Sequence, residues 1–194
     1  MKMGAFVLGY HGCDRSVGEA LLAGRKTFVG SKNEDDWLGH GVYFWENNPK
    51  RALEWARTQT KRPKSKIKDP FAIGAVIDLG NCLDLTESTS LGILLESYDS
   101  FASICEVAGL PLPENEMASS KDDDLLHRYL DCAVINHVHE TREAEGLESF
   151  DTARGAFSEG EELYPGAGIK AQTHIQIAVT QTLKIKGIFR IPKG

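Results

Sequence analysis

Apolar residues in the first half of the chain fall into short consecutive runs, separated by stretches with helical spacing. The runs are AFVLGY at residues 5–10, GVYFW at residues 41–45 and FAIGAVIDL at residues 71–79. Runs of this length that are rich in β-branched and aromatic residues predict strands. Residues 49–60 instead place their alanine, leucine and tryptophan side chains on one face of a helix.

Capping residues mark where two helices begin. Ser16 and Glu19 have the spacing of a capping box, which predicts a helix from there to about residue 23, ended by Gly24. Asn48 and Pro49 fit the N-cap and the first position of the next helix, because proline has no N–H to leave unpaired there.

The second half of the chain changes from helical to extended patterns. It predicts helices near residues 90–108 and 122–141, then two neighbouring strands over residues 174–180 and 183–191. This order favours an α+β fold over a repeating parallel sheet. A length of 194 residues suits a single domain over residues 1–194, within which residues 90–141 form a helical insert or lid.

Composition excludes several classes of protein. The chain is 41% hydrophobic and 26% charged, and its apolar runs are too short to cross a bilayer. The first residues lack a secretory signal pattern, so we expect a cytoplasmic protein. Its four cysteines include no C-x-x-C pair, and we expect free thiols. His137 and His139 would diverge on a helix, so no metal is expected.

The charge of the chain is uneven. The net charge of −6 argues against extensive coating of nucleic acid. Residues 50–68 nevertheless hold eight of the 22 lysines and arginines, with Glu54 as the one acid. Two interpretations stay open for this segment, namely a solvated helix face with its loop, or a patch for an anionic partner.

Two short motifs could hold a planar ligand with a sugar. His11 and Gly12 follow the first predicted strand, where the imidazole can donate a hydrogen bond to a sugar hydroxyl and the glycine backbone can approach a ring closely. Gly39-His-Gly-Val-Tyr-Phe leads into the second strand, and there Tyr43 could stack on the same ring. Each motif alone also fits a turn or core packing.

The two motifs together, about 30 residues apart and each followed by a helix, resemble the NAD-binding half of ADP-ribosyltransferases. The branch they resemble is the diphtheria-toxin and poly(ADP-ribose) polymerase type, named for its His, Tyr and Glu. The resemblance implies a split β-sheet sandwich with flanking helices and a helical middle segment, and NAD as co-substrate. It also implies that His11 holds the ribose 2′-hydroxyl, Gly12 pairs with the nicotinamide amide and Tyr43 stacks on the nicotinamide.

The chain departs from that family at the third element, a glutamate at the start of a late strand. Gln176 stands at the matching position and brings no charge. Either the protein transfers a single ADP-ribose unit without it, or a carboxylate comes from residues 153–169, where Glu159, among Glu159, Glu161 and Glu162, is the preferred candidate.

Two further residues near this position are candidates for binding. Arg154 could grip a pyrophosphate or form a plain salt bridge. His174 alternates with Gln176 and so could share its face.

These features lead us to expect a mono-ADP-ribosyltransferase acting on a macromolecule, a protein rather than a nucleic acid. By analogy it would be a toxin or effector. The alternatives are an NAD glycohydrolase and a non-catalytic module that binds NAD or ADP-ribose. An RNA 2′-phosphotransferase would require several arginines to grip phosphate, and the sequence offers only Arg154 as a strong loop candidate.

Overall fold

A seven-stranded sheet forms the centre of the computed structural model, which describes residues 5–117 and 124–192. Its strand order is β4-β7-β8-β2-β1-β3-β9. The strands are β1 (Phe6–Asp14), β2 (Val42–Glu46), β3 (Pro70–Asp78), β4 (Cys82–Asp84), β7 (Thr152–Phe157), β8 (His174–Val179) and β9 (Ile185–Arg190). The short strands β5 (Asn115–Glu116) and β6 (His127–Arg128) pair separately.

Helices occupy the segments between the strands. They are α1 (Arg15–Leu22), α2 (Pro49–Gln59), α3 (Ser88–Ala108) and α4 (Tyr129–Ala144). Neighbouring strands of the main sheet run antiparallel except for β4 and β7. The predicted α+β fold class is therefore confirmed. Residues 122 and 123, at the start of one predicted helix, lie outside the described part of the chain.

The predicted pairing of the two last strands is wrong. β8 lies between β7 and β2, whereas β9 pairs with β3 at the opposite edge of the sheet. Both edges of β8 are filled, because residues 152–157 form strand β7. The sequence predicted a loop over residues 153–169, so its first five residues belong to this strand instead. Its composition, TARGAF, hides the strand, since glycine and alanine carry little strand propensity.

The predicted N-cap is correct for helix α2 and wrong for helix α1. The Asn48 side chain accepts a hydrogen bond from the Arg51 N–H at 3.0 Å, as expected of an N-cap before Pro49. The capping box at Ser16 is wrong. Asp14 is the N-cap instead, and its carboxylate accepts from the Ser16 N–H at 3.0 Å and from the Ser16 hydroxyl at 2.6 Å.

Asp14 replaces the serine because its carboxylate also joins two parts of the chain. Its second oxygen accepts hydrogen bonds from the N–H groups of Lys68 and Asp69, just before β3. The hydrogen bond from the Ser16 hydroxyl, together with those from the Asp69 and Lys68 N–H groups, holds the pKa of Asp14 well below its usual range. The far end of α1 is as predicted, since Gly24 follows it with a φ of +66°.

Apolar side chains fill both faces of the sheet. On one face Phe44, Ile77 and Ile177 are fully buried. On the other, helix α4 packs Ile135 and Val138 against the sheet together with partly buried side chains of α3. The four cysteines are free. No helix in the described ranges is long and apolar enough to cross a membrane.

Helix α2 lies directly on β1 at Gly12, which has no side chain to separate them. A Cβ at this position would lie 2.3 Å from the carbonyl oxygen of Ala52 and 3.0 Å from a ring carbon of Trp55. The closest of these atoms is backbone, so a side chain at residue 12 would force the helix away from the strand.

We expect Gly12→Ala to destabilise the fold by about 1–3 kcal/mol, since the methyl group must displace α2. The matched control is Gly92→Ala inside α3, where the added Cβ has no described atom within 4 Å apart from its chain neighbours and the backbone of its own helix. That change should stabilise the protein by about 0.5–1 kcal/mol. Urea unfolding measures both, and a neutral Gly12→Ala would contradict the close contact.

Candidate functional site

A cavity of about 1060 Å³ opens between helix α2 and the strands β1, β2 and β8. Five of the seven residues selected from the sequence line it, namely His11, Gly12, Tyr43, Glu159 and Gln176. They come from distant segments of the chain. The sheet brings them together because β8 pairs with β2, and β2 with β1.

His11 is fixed at the cavity wall by a hydrogen bond to the chain. Its Nδ1 lies 2.8 Å from the carbonyl oxygen of Tyr43, and since a carbonyl oxygen only accepts, Nδ1 carries the proton. Burial lowers the pKa of His11. The neutral ring therefore carries its lone pair on Nε2, which can accept a hydrogen bond but not donate one, the reverse of the donation expected from sequence.

Tyr43 is held by both of its hydrogen-bonding functions. Its hydroxyl accepts from the Leu38 N–H and donates to the Gly39 carbonyl oxygen, each at 2.7 Å. Burial raises the pKa of this phenol, so it stays protonated. These bonds fix the ring at the cavity wall and tie it to the turn at Gly39, whose φ is +71°.

Gln176 presents a buried amide to the cavity. It lies in the centre of the sheet, opposite Trp45 on β2 and Gly155 on β7. The residue is 9% exposed, and its side chain has no hydrogen-bond partner among the described residues. Because the residue lines the cavity, water or a ligand there can complete the hydrogen bonds of its amide.

Glu159 is a buried carboxylate paired with an arginine from α2. It is 8% exposed and forms an ion pair with Arg51, whose Nη2 also donates to the Gln172 side chain at 3.0 Å. The Nδ1 of His174 lies 3.6 Å from the same carboxylate oxygen. Glu159 therefore has a fixed position and a compensated charge inside the cavity.

Arg154 does not line the cavity. It lies opposite Ile177, on the other face of β7 from Gly155 and Gln176. Its guanidinium binds Glu46 at 2.7 Å and Asp84 at 3.0 Å. Of the two roles left open by the sequence, the structure favours the salt bridge.

His174 lies behind the cavity wall. Its side chain is fully buried, its Nδ1 donates to the Gln172 carbonyl oxygen at 2.6 Å, and its ring stacks on Trp37. Nε2 is buried without a partner among the described residues. Burial lowers the pKa of this imidazole, so it supports Glu159 as a neutral ring.

The sequence did not single out several residues that line the cavity. Arg51 and Trp55 lie four residues apart on α2, and this spacing on a predicted helix was the available signal. Asp35 and His127 form a pair at 2.8 Å, which no local pattern indicates because 92 residues separate them.

Arginines are also more numerous here than the sequence suggested. Arg51, Arg57 and Arg62 all line the cavity. The RNA 2′-phosphotransferase alternative requires several arginines to bind phosphate, and the cavity lining supplies more of them than the sequence indicated. Arg51 is already bound to Glu159 and Gln172, so two guanidinium groups are left for an anionic ligand.

Comparison of the chain with protein-family models, with curated proteins and with solved structures finds no match. Within the described ranges, no group of three or more His, Cys, Asp or Glu residues could hold a metal ion. The function is therefore inferred from the site itself.

The buried neutral histidines predict a loss of stability in mild acid. His174 has a lowered folded-state pKa, so the unfolded chain takes up a proton below about pH 6.5 while the folded chain does not. Its contribution is complete above that pH and falls by up to about 1.4 kcal/mol for each further pH unit.

His174→Gln should therefore reduce the drop in stability between about pH 7.5 and about pH 5.5, measured by urea unfolding at each pH. The exposed His40, changed to glutamine, is the control. The same pH dependence in wild type and His174→Gln would contradict a neutral buried ring.

Proposed function

We propose that the protein is a mono-ADP-ribosyltransferase that takes NAD as donor, releases nicotinamide and passes ADP-ribose to a macromolecule. One observation carries the proposal: the five residues His11, Gly12, Tyr43, Glu159 and Gln176, selected for this chemistry from distant segments, line one cavity. The sheet that joins these segments also supports an ADP-ribosyltransferase-like fold.

The wall formed by β1 and β2 suits the nicotinamide riboside. Nε2 of His11 would accept a hydrogen bond from the ribose 2′-hydroxyl, since Nδ1 is the protonated nitrogen. Gly12 lies two residues past Tyr10, the last residue of β1 that pairs with β2, and its backbone would pair with the nicotinamide amide along that edge. The fixed ring of Tyr43 supplies a face for stacking.

The opposite wall suits the charge that forms as nicotinamide leaves. The C1′–N bond breaks, its electron pair leaves with nicotinamide, and the ribose becomes positively charged. The Glu159 carboxylate would stabilise that charge, with Arg51 holding it in position. Gln176 would hold a ribose hydroxyl through its side-chain amide, which lines the same cavity.

Hydrolysis of NAD is a second candidate, and the Asp35–His127 pair favours it. Nδ1 of His127 donates to Asp35 at 2.8 Å, which leaves Nε2 able to take a proton from water. Both residues line the cavity. Nicotinamide release without labelling of a macromolecule would favour this reaction over transfer.

The test is incubation of the purified protein with NAD labelled in its adenylate half, with and without a cell lysate. We expect nicotinamide release and label on a macromolecule. No release, no label and no NAD binding would together overturn the proposal. NAD binding without turnover would indicate a non-catalytic module.

Glu159→Gln should lower the rate of nicotinamide release by about 10²–10³-fold, because it removes the charge facing the ribose. Glu161→Gln is the matched control, since Glu161 is exposed and lies outside the cavity lining. Gln176→Glu should raise the rate by adding a second carboxylate. Equal rates for the two glutamine variants would contradict the role of Glu159.

A further inference from the structure

Helix α2 and the loop after it carry a row of cations that no acid of residues 5–117 or 124–192 pairs with. The α2 strip consists of Arg57, Lys61, Arg62, Lys64, Lys66 and Lys68. All six are exposed, and none forms an ion pair with any residue of the described ranges. Of the three exposed arginines elsewhere, two are paired, Arg15 with Asp69 and Arg190 with Glu19, whereas Arg25 forms no ion pair with a described residue.

Part of the α2 strip lies at the candidate site. Arg57 and Arg62 line the large cavity, and the four lysines continue the positive surface away from it. In a chain of net charge −6, six cations along 12 residues, none paired with an acid in the described part of the chain, are a local exception. Such a surface attracts an extended anion towards the cavity.

A second cavity, of about 460 Å³, adjoins the strip on the other side of Arg57. Its apolar wall comes from Leu53, Phe71, Ala72 and Ile191. Arg15, Lys50 and Arg57 also line it, so one arginine is shared by both cavities. An apolar slot edged by cations suits a flat ring attached to an anionic backbone.

We propose that the α2 strip binds a single-stranded nucleic acid, which is the acceptor of ADP-ribose, in place of the protein acceptor expected from sequence. A single strand is required because its bases must be unstacked to enter the slot. An acidic peptide matches the charge of the strip, but a nucleic acid combines an anion and a planar ring in every unit.

The acceptor step rests on the proposed function. A hydroxyl or amino group of the nucleic acid forms the new bond to C1′ as nicotinamide leaves with the electrons of the old one. The acceptor's proton passes to Nε2 of His127, which lines the same cavity.

Fluorescence anisotropy with labelled single-stranded RNA and DNA 12-mers, and with polyglutamate, tests the binding. The variant Lys61→Glu/Lys66→Glu changes the strip outside the cavity lining, and Arg25→Glu/Lys26→Glu makes the same charge change away from both cavities. We expect the strip variant to bind an oligonucleotide at least about tenfold more weakly, with a salt slope reduced by about 1.4.

The control variant should bind like wild type. Equal affinity of the strip variant and the control, no oligonucleotide binding by wild type, or binding of polyglutamate in preference, would overturn the proposal. Oligonucleotide binding without transfer of label from NAD would overturn the acceptor role.

Nicotinamide release measured without oligonucleotide reports on the proposed function separately. Nicotinamide release without oligonucleotide binding would overturn the nucleic-acid proposal and leave the proposed transferase standing. Oligonucleotide binding without NAD binding or nicotinamide release would overturn both the proposed transferase and the acceptor role. The α2 strip would then be a nucleic-acid-binding surface only.

Discussion

Pairing between β2 and β8 is the interaction on which the cavity depends. The four residues from Val42 to Trp45 lie opposite those from Gln176 to Val179, so a strand from the end of the chain lies beside one from its beginning. A shift of one residue would turn Gln176 to the other face of the sheet. The buried side chains Phe44 and Ile177 oppose such a shift.

The cavity wall is closely packed, but not all of its polar side chains have a hydrogen-bond partner among the described residues. Gly12 allows α2 to lie against β1, and that contact places Arg51 beside Glu159. Removing one partner of such a buried ion pair leaves an uncompensated charge, at a cost of about 3–5 kcal/mol. The Gln176 side chain, in contrast, has no hydrogen-bond partner among the described residues.

Local signals in the sequence predicted local structure well. Apolar runs marked β1, β2 and β3, and Asn48 with Pro49 marked the start of α2. Strand β7 was missed because its small residues carry no strand signal, and with it the true partner of β8. Asp14 rather than Ser16 caps α1 because its carboxylate also binds residues that are distant in sequence.

The candidate site likewise contains residues that short motifs predicted and residues that no local pattern indicated. His11, Gly12 and Tyr43 belong to short motifs that a single sequence displays, whereas the Arg51–Glu159 and Asp35–His127 pairs join residues about a hundred positions apart. Arg154 shows that residue type alone does not predict whether a side chain reaches the cavity. Its guanidinium suits a phosphate, but its position in β7 turns it to the face carrying Glu46.

The most direct test of the account is a crystal structure of the protein with a non-hydrolysable NAD analogue. We predict that the ribose 2′-hydroxyl lies about 3 Å from Nε2 of His11, with the nicotinamide against Tyr43 and the Gln176 amide bound to the ribose. A dinucleotide bound outside this cavity, or one whose ribose does not contact His11 and Gln176, would contradict it.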